Sequence, residues 1–207
     1  MAKQQLFLSH AWGQDIYSRD NHARVVKLSK FLNLYGWTCW LDDNEIYDNI
    51  DYSIINGINN CQAVLICLTL SYFQKINKAV KNPAMRDSCL KEWTFATASN
   101  KILIPIIMEK FLLNKNNWPI SIISLYFGYT FYVDLTNDNY MDNVKNLDKK
   151  LKRYKLAPVM YKTPNIIRKQ YKLAILDKLI HSMKQPYILK SLVRKNKSTG
   201  NLLKIAV

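Results

Sequence analysis

The chain has 207 residues, of which 49% are apolar, and a formal net charge of +15. This is enough apolar material for one domain and an appendage without any need for disulfide bonds. No apolar run approaches the roughly 18 residues of a membrane-spanning helix, and the first ten residues do not form a signal peptide, so we expect a cytoplasmic protein with no transmembrane segment.

Strand-like and helix-like segments alternate along the front part of the chain. Helical spacing of apolar residues predicts one helix from Val25 to Tyr35, closed by Gly36, and a second one marked by Ile50, Ile54 and Ile58. A short helix around Glu92 and a last one over roughly 140–154 complete the helices. The apolar runs that predict strands are Gln5–His10, Trp37–Leu41, Ala63–Leu68, Ile102–Ile107 and Tyr129–Val133.

The character of these strands predicts the fold class. Continuous apolar runs are typical of parallel strands covered by helices on both faces. We therefore predict an α/β protein with a flavodoxin-like, five-stranded parallel sheet in the order 2-1-3-4-5. Such folds bind ligands at the carboxyl ends of the strands, so the residues that directly follow each strand are the candidates for a site.

The positive charge is concentrated in the last part of the chain. Residues 151–207 carry 14 lysines and arginines against one acid, Asp177, which is a net +13 and leaves +2 for residues 1–150. We predict a domain over residues 1–156 and a basic C-terminal extension, partly helical or flexible, over 157–207. The extension can contact acidic partners such as nucleic-acid phosphates or an anionic membrane, or it is a solvated or packed helix.

The cysteines and histidines do not indicate a metal site. The four cysteines form no CxxC pair, and we interpret them as small buried residues of a reducing compartment: Cys39, Cys61, Cys67 and Cys89. The three histidines lack the spacing of a zinc motif: His10, His22 and His181. We predict no metal and no cofactor.

Five segments of the front part follow one another in a characteristic order. They read FLSHAW, GWTCWLDDNEI, CQAVLICLTLSYF, SCLKEW and ILIPIIME. In this order and spacing, over roughly residues 4–154, the chain resembles a TIR domain. The loop Leu41–Ile46 lacks the Arg-Asp-x-x-Pro-Gly sequence of many receptor and adaptor members, and in this respect it is similar to the enzymatic branch of the family.

The resemblance implies two possible activities. Some TIR domains cleave NAD between nicotinamide and ribose, releasing nicotinamide and ADP-ribose or a cyclic isomer, and they use one glutamate three residues after a frequent cysteine. Glu92, three residues after Cys89, matches that position. Other members are non-catalytic scaffolds or decoys that act through TIR–TIR contacts. Both kinds self-associate or bind other TIR domains in immune or cell-death signalling.

The position of Glu92 on its helix leaves both readings open. At about 100° per residue, Glu92 lies about 60° from Cys89, at the rim of an apolar face that also holds Trp93 and Ala96. A pocket carboxylate belongs there, but so does a solvated glutamate on the flank of a helix. The resemblance favours the catalytic role.

The resemblance also implies a set of substrate-binding residues. His10 and Trp12 follow the first strand, where relatives contact the nicotinamide end of NAD or its ribose. Trp12 can equally be an aromatic residue that anchors the loop. Asp43 and Tyr47 lie in the loop that gates the pocket in relatives, although the loop can equally be a turn with helix-capping acids. Ser71 is a candidate to bond the ribose or Glu92, and equally a helix N-cap. Ser88 stands where relatives often have an aromatic residue, so we expect Trp12 to supply the ring that stacks on nicotinamide.

Overall fold

The computed structural model describes residues 5–41, 50–137 and 140–159, and three residues beyond them. The chain divides into two compact units, Met1–Tyr161 and Lys162–Val207. In the second unit, Ile166, Lys169 and Leu173 are described, and all three are helical. The predicted boundary at residues 156 and 157 stays a prediction.

The first unit is built on a parallel sheet of five strands. The sheet order is β2-β1-β3-β4-β5, as predicted. The central strands β1, β3 and β4 pair along their whole length, whereas β2 and β5 each pair through two residues. The strands are β1 Leu6–His10, β2 Cys39–Trp40, β3 Ala63–Leu68, β4 Ile102–Ile107 and β5 Val133–Asp134.

Helices cover the sheet, and side-chain caps fix where several of them begin. The side chains of Asp20, Thr69 and Asp87 each accept a hydrogen bond from a backbone N–H in the first turn of the helix that follows. Gly36, with φ of 87°, closes the first helix. The described helices are α1 Asn21–Leu34, α2 Ile50–Asn60, α3 Leu70–Lys81, α4 Ser88–Ala98, α5 Ile122–Phe127 and α6 Tyr140–Arg153.

The core has two layers because successive strand residues point to opposite faces of the sheet. Val64, Ile66 and Leu68 pack on one face with α2, α3, α4 and α5. Leu65 and Cys67 pack on the other face with α1 and α6. This explains why β3 and β4 are apolar at every position.

Three features differ from the predicted elements. The predicted strand Tyr129–Val133 is wrong in position, because residues 128–130 form a turn and the strand covers Val133–Asp134. Only Val133 and Asp134 pair with the end of β4, so the alternating aromatic residues before them have no strand partner. The helices α3 and α5 are absent from the predicted elements, although the apolar spacing of Tyr72, Phe73 and Ile76 is helical.

Candidate active site

The candidate site lies where β1 and β3 end and where α3 and α4 pass above them. Ser9 and His10 are the last two residues of β1, and they pair with Ile66 and Cys67 of β3. Parallel strands end at the same edge of a sheet, so the residues that leave these strands meet there. Glu92 reaches this edge from α4.

Glu92 is buried. Its exposed fraction is 3%, and it belongs to the buried face of α4 together with Cys89, Trp93 and Ala96. The reading of Glu92 as a solvated glutamate on the flank of the helix is therefore wrong. The helical wheel places Glu92 on the flank of α4, and residues of β1 and of the start of α3 fill the space beside it.

A chain of hydroxyl groups supports the carboxylate. The Oγ of Ser9 donates to Oε2 of Glu92 at 2.6 Å and lies 2.9 Å from the hydroxyl oxygen of Tyr72. Because Ser9 has one hydroxyl proton and donates it to Glu92, Tyr72 donates to Ser9. Burial raises the pKa of Tyr72 well above its usual range, and the neighbouring Cys89 and Glu92 raise it further. Tyr72 therefore stays protonated and can act as this donor.

Two histidines and a tryptophan form a second group next to the end of β1. His10 is 4% exposed, with Nδ1 3.0 Å from the carbonyl oxygen of Leu8 and Nε2 2.8 Å from Nδ1 of His22. Trp12 is 49% exposed and stacks on His22, with ring centroids 4.0 Å apart. The structure thus brings His10 and Trp12 together through His22.

Cys89 connects this second group to α4. Its Sγ donates to the carbonyl oxygen of His10 at 3.5 Å, one helical turn before Glu92. The end of β1 and the buried face of α4 are therefore in direct contact through two pairs, Cys89 with His10 and Glu92 with Ser9.

The remaining predicted residues lie elsewhere or outside the described residues. Ser71 contacts Oγ1 of Thr69 at 2.8 Å and the side-chain amide of Asn21 at 3.2 Å. Its predicted N-cap role is wrong, because Thr69 caps α3, and its predicted bond to the ribose or to Glu92 stays a prediction. Ser88 is exposed in the first turn of α4. Asp43 and Tyr47 lie outside the described residues.

A buried ionic cluster anchors the loop between β1 and α1. The side chain of Asp15 pairs with Arg19 at 2.7 Å and with Arg24 at 3.1 Å. Both arginines also donate to the carbonyl oxygen of Met108 at the end of β4. The loop that carries Trp12 is therefore tied to the carboxyl end of β4.

Glu109 holds the same loop from a second direction. It is fully buried, and its two carboxylate oxygens accept from the backbone N–H groups of Ile16 at 3.2 Å and Leu70 at 2.8 Å. Burial raises the pKa of Glu109 and outweighs the effect of these two hydrogen bonds. One side chain thus fixes both the site loop and the start of α3.

Within the described residues, no three His, Cys, Asp or Glu side chains group closely enough to hold a metal ion. None of the four cysteines forms a disulfide bond. In the same part of the chain, no helix combines the length and the apolar character needed to cross a membrane.

Comparison with known families agrees with this architecture. The family model described as TIR domain matches residues 6–151. The chain belongs to the TIR domain family. The match spans all five strands and nearly all of α6, and it ends before the basic extension. No curated protein sequence matches this TIR protein.

Two solved structures are similar to the TIR domain described here. One is the TIR domain of the Toll-related receptor TRR-2 from Hydra magnipapillata, at 13% identity and a TM-score of 0.48, covering 71% of this chain and 97% of that chain. The other comprises the TIR domains of the activated Roq1 resistosome, which directly recognises the pathogen effector XopQ. Its identity is 17% and its TM-score 0.45, with 73% of this chain and 99% of that chain covered.

Sequence reasoning did not name three residues of the candidate site individually: Ser9, Tyr72 and His22. Ser9 and Tyr72 lie in the stretches at the ends of β1 and β3 where candidates were expected. Ser9 contacts Glu92, His22 contacts His10, and Tyr72 contacts Ser9. A signal was present for Ser9, which is a polar residue inside an apolar strand. No local pattern indicates what His22 or Tyr72 contacts, because their partners lie 12 and 63 residues away along the chain.

Proposed function

We propose that this TIR domain is an enzyme that cleaves NAD at the bond between nicotinamide and ribose, with Glu92 as the catalytic carboxylate. The products are nicotinamide and either ADP-ribose or a cyclic isomer. It acts in the cytoplasm, in immune or cell-death signalling, and self-association switches it on. The observation that carries this proposal is a buried carboxylate, held by a hydroxyl chain, at the carboxyl edge of a parallel sheet in a TIR domain.

The chemistry needs one negative charge in a defined place. Nicotinamide leaves as a neutral ring, so the leaving group needs little assistance. The positive charge grows on the ribose, which becomes oxocarbenium-like as the bond breaks. A carboxylate beside the ribose accepts hydrogen bonds from its hydroxyls and stabilises this charge, provided that it is already oriented and partly desolvated.

Glu92 meets both conditions. Its burial removes bulk water, which strengthens its interaction with a developing cation. The hydrogen bond from Ser9 fixes one carboxylate oxygen, and Tyr72 fixes Ser9 in turn. Ser9 and Tyr72 are therefore positioning residues for Glu92. The half-exposed ring of Trp12, stacked on His22 beside His10, is the candidate to contact the nicotinamide ring.

The proposal is tested by incubating the purified full chain with NAD and measuring released nicotinamide, at dilute and at crowded protein concentration. Glu92→Ala should abolish release, and Glu92→Gln should too, since the neutral amide keeps the shape but loses the charge. The matched control is Asp51→Asn, which removes an exposed carboxylate from α2 and should leave release unchanged. Circular dichroism shows whether each variant folds.

A non-catalytic TIR scaffold or decoy is the second candidate function. Ile120, just before α5, is 98% exposed, and Leu125, on α5, is 85% exposed. Large apolar side chains at such exposure favour a protein contact. The same assay separates the two candidates. If a folded chain releases no nicotinamide at any concentration, the scaffold is the better description, and Glu92 is a structural member of the Ser9–Tyr72 network.

A further inference from the structure

A groove of about 840 Å³ lies between the segment that leads into β5 and the last turns of α6. Its volume is within the range of about 300–1,000 Å³ that is usual for ligand sites. Because α6 runs back along the sheet after β5, its last turns and the residues before Val133 lie toward the amino edge of the strand. Glu92 lies at the carboxyl edge, so the groove is separate from the candidate active site.

Aromatic side chains line one wall of the groove. Tyr129 and Phe131 are fully or almost fully exposed, at 103% and 87%, and Tyr132 follows them in the chain. Large aromatic side chains contribute to the core only when they are buried, so these two exposed rings do not serve the fold. They are available to stack on a planar ligand.

The backbone that carries these rings is held in place. The Nζ of Lys115 donates to three carbonyl oxygens of the turn, those of Phe127, Gly128 and Thr130, at 3.3, 2.7 and 2.8 Å. The hydroxyl of Tyr132 donates to the carbonyl oxygen of Leu113 at 2.8 Å. The segment therefore presents its rings from a fixed backbone, which lowers the entropy cost of binding.

Basic side chains line the facing wall. Lys149 and Arg153 are exposed and lie one turn apart on α6, about 6 Å along its axis. In the described part of the chain, neither pairs with an acid. Lys150, between them, donates to the carbonyl oxygen of Phe131 and so joins the two walls. Asp134 is the acid of the lining, and its carboxylate accepts from the backbone N–H of Thr136.

We propose that this groove binds single-stranded nucleic acid, with bases stacked on Tyr129 and Phe131 and phosphates on Lys149 and Arg153. Unpaired bases offer the ring faces that aromatic side chains stack on, whereas a duplex hides them. Two cations one helical turn apart match the repeating charge of a phosphate backbone. The basic extension adds unspecific attraction for the same polyanion, but the groove supplies the contact with the bases.

Binding is measured by fluorescence anisotropy, using the full chain and a labelled 12-nucleotide oligothymidine. Tyr129→Ala combined with Phe131→Ala removes two stacking contacts and should weaken binding by about 30-fold or more. It should not change the salt dependence, because stacking involves no released counterion. An abasic oligonucleotide of equal length should bind the wild-type chain as weakly as the intact strand binds this variant. Both residues are exposed, so the variant should unfold at the wild-type temperature.

The charge contribution has its own variant and a matched control. Lys149→Ala with Arg153→Ala should lower the slope of log affinity against log salt by about 1.4, since each phosphate contact of a single strand contributes about 0.7. Lys78→Ala with Lys81→Ala removes two exposed charges from α3, and it should leave the slope and the affinity within about twofold of wild type.

Three results would overturn the proposal. If both groove variants bind the oligonucleotide as the wild type does, the basic extension or overall charge carries the binding. If the wild-type chain binds the abasic strand equally well, there is no base contact. If thymidine monophosphate competes at the concentration of the oligonucleotide, the groove is a site for a free nucleotide and not for a strand.

Discussion

Ser9→Ala is the sharpest test of the hydroxyl chain behind Glu92. Ser9 is fully buried and contacts two other buried groups, Oε2 of Glu92 at 2.6 Å and the hydroxyl of Tyr72 at 2.9 Å. A hydrogen bond to a charged group contributes about 1.5–3 kcal/mol, and a buried hydroxyl that loses its partner costs about 1–3 kcal/mol. Because these terms overlap, we expect the free energy of unfolding to fall by about 2–4 kcal/mol.

A double-mutant cycle separates the charged bond from the rest. In a Glu92→Gln background the Ser9 hydroxyl bonds a neutral group, so Ser9→Ala should cost only about 0.5–1.5 kcal/mol there. The difference between the two backgrounds, about 1.5–2.5 kcal/mol, is the coupling between Ser9 and the carboxylate charge. Urea denaturation at pH 7, followed by tryptophan fluorescence, gives all four values.

The control for this cycle is Ser53→Ala, which removes a hydroxyl from the partly exposed surface of α2 and should change the unfolding free energy by less than about 0.5 kcal/mol. A cost for Ser9→Ala no larger than that of the control, or equal costs in both Glu92 backgrounds, would refute the reasoning. In either case Ser9 would not hold the carboxylate, and its role as a positioning residue would be withdrawn.

Three other predictions concern the rest of the domain. At an open helix position, replacing glycine by alanine stabilises a protein by about 1 kcal/mol. Gly57→Ala should instead lower the free energy of unfolding by about 1–2 kcal/mol in urea denaturation, because the new Cβ meets the Trp40 indole at 2.7 Å. A rise in stability would show that the indole moves freely. Burial raises the pKa of the Cys67 thiol to about 12. Iodoacetamide at pH 8 should therefore label Cys67 only after urea unfolds the chain, as measured by mass spectrometry. Labelling of Cys67 in the native protein would contradict this prediction. The raised pKa of Glu109 means that the folded state binds its proton more tightly than the unfolded state, so its contribution to stability should fall as pH rises from about 4.5. Relative to Glu109→Gln, the unfolding free energy of the wild type should therefore decrease with pH, and an increase would show the opposite shift.

The sequence predicts the centre of the sheet better than its edges. β3 and β4 have the bounds that were predicted, because strands covered on both faces are apolar at every position. At the edges, the length of a strand depends on how far its neighbour extends, which no local pattern records. This is why the predicted strand Trp37–Leu41 shortens to Cys39–Trp40 and why the predicted strand Tyr129–Val133 moves.

For the candidate site too, local sequence predicts one part and tertiary packing decides the rest. Residue spacing and family resemblance select Glu92, but the helical wheel gives only an angle on α4 and not what lies beside it. The burial of Glu92 follows from the register of β1 against β3, which places Ser9 below α4, and from the start of α3, which brings Tyr72. The contact between His10 and His22 likewise depends on the path of the loop between them.

The anchoring of the site loop by Glu109 has a consequence for the newly made chain. Ile16 leaves the ribosome 93 residues before its partner Glu109, a delay of roughly 5–20 s at about 5–20 residues per second. During this interval β1 exists without the side chain that fixes the loop after it. We therefore expect a nascent chain to have no organised site until the end of β4 has emerged. A ribosome that stalls earlier should display a fragment unable to act on any substrate of the finished domain.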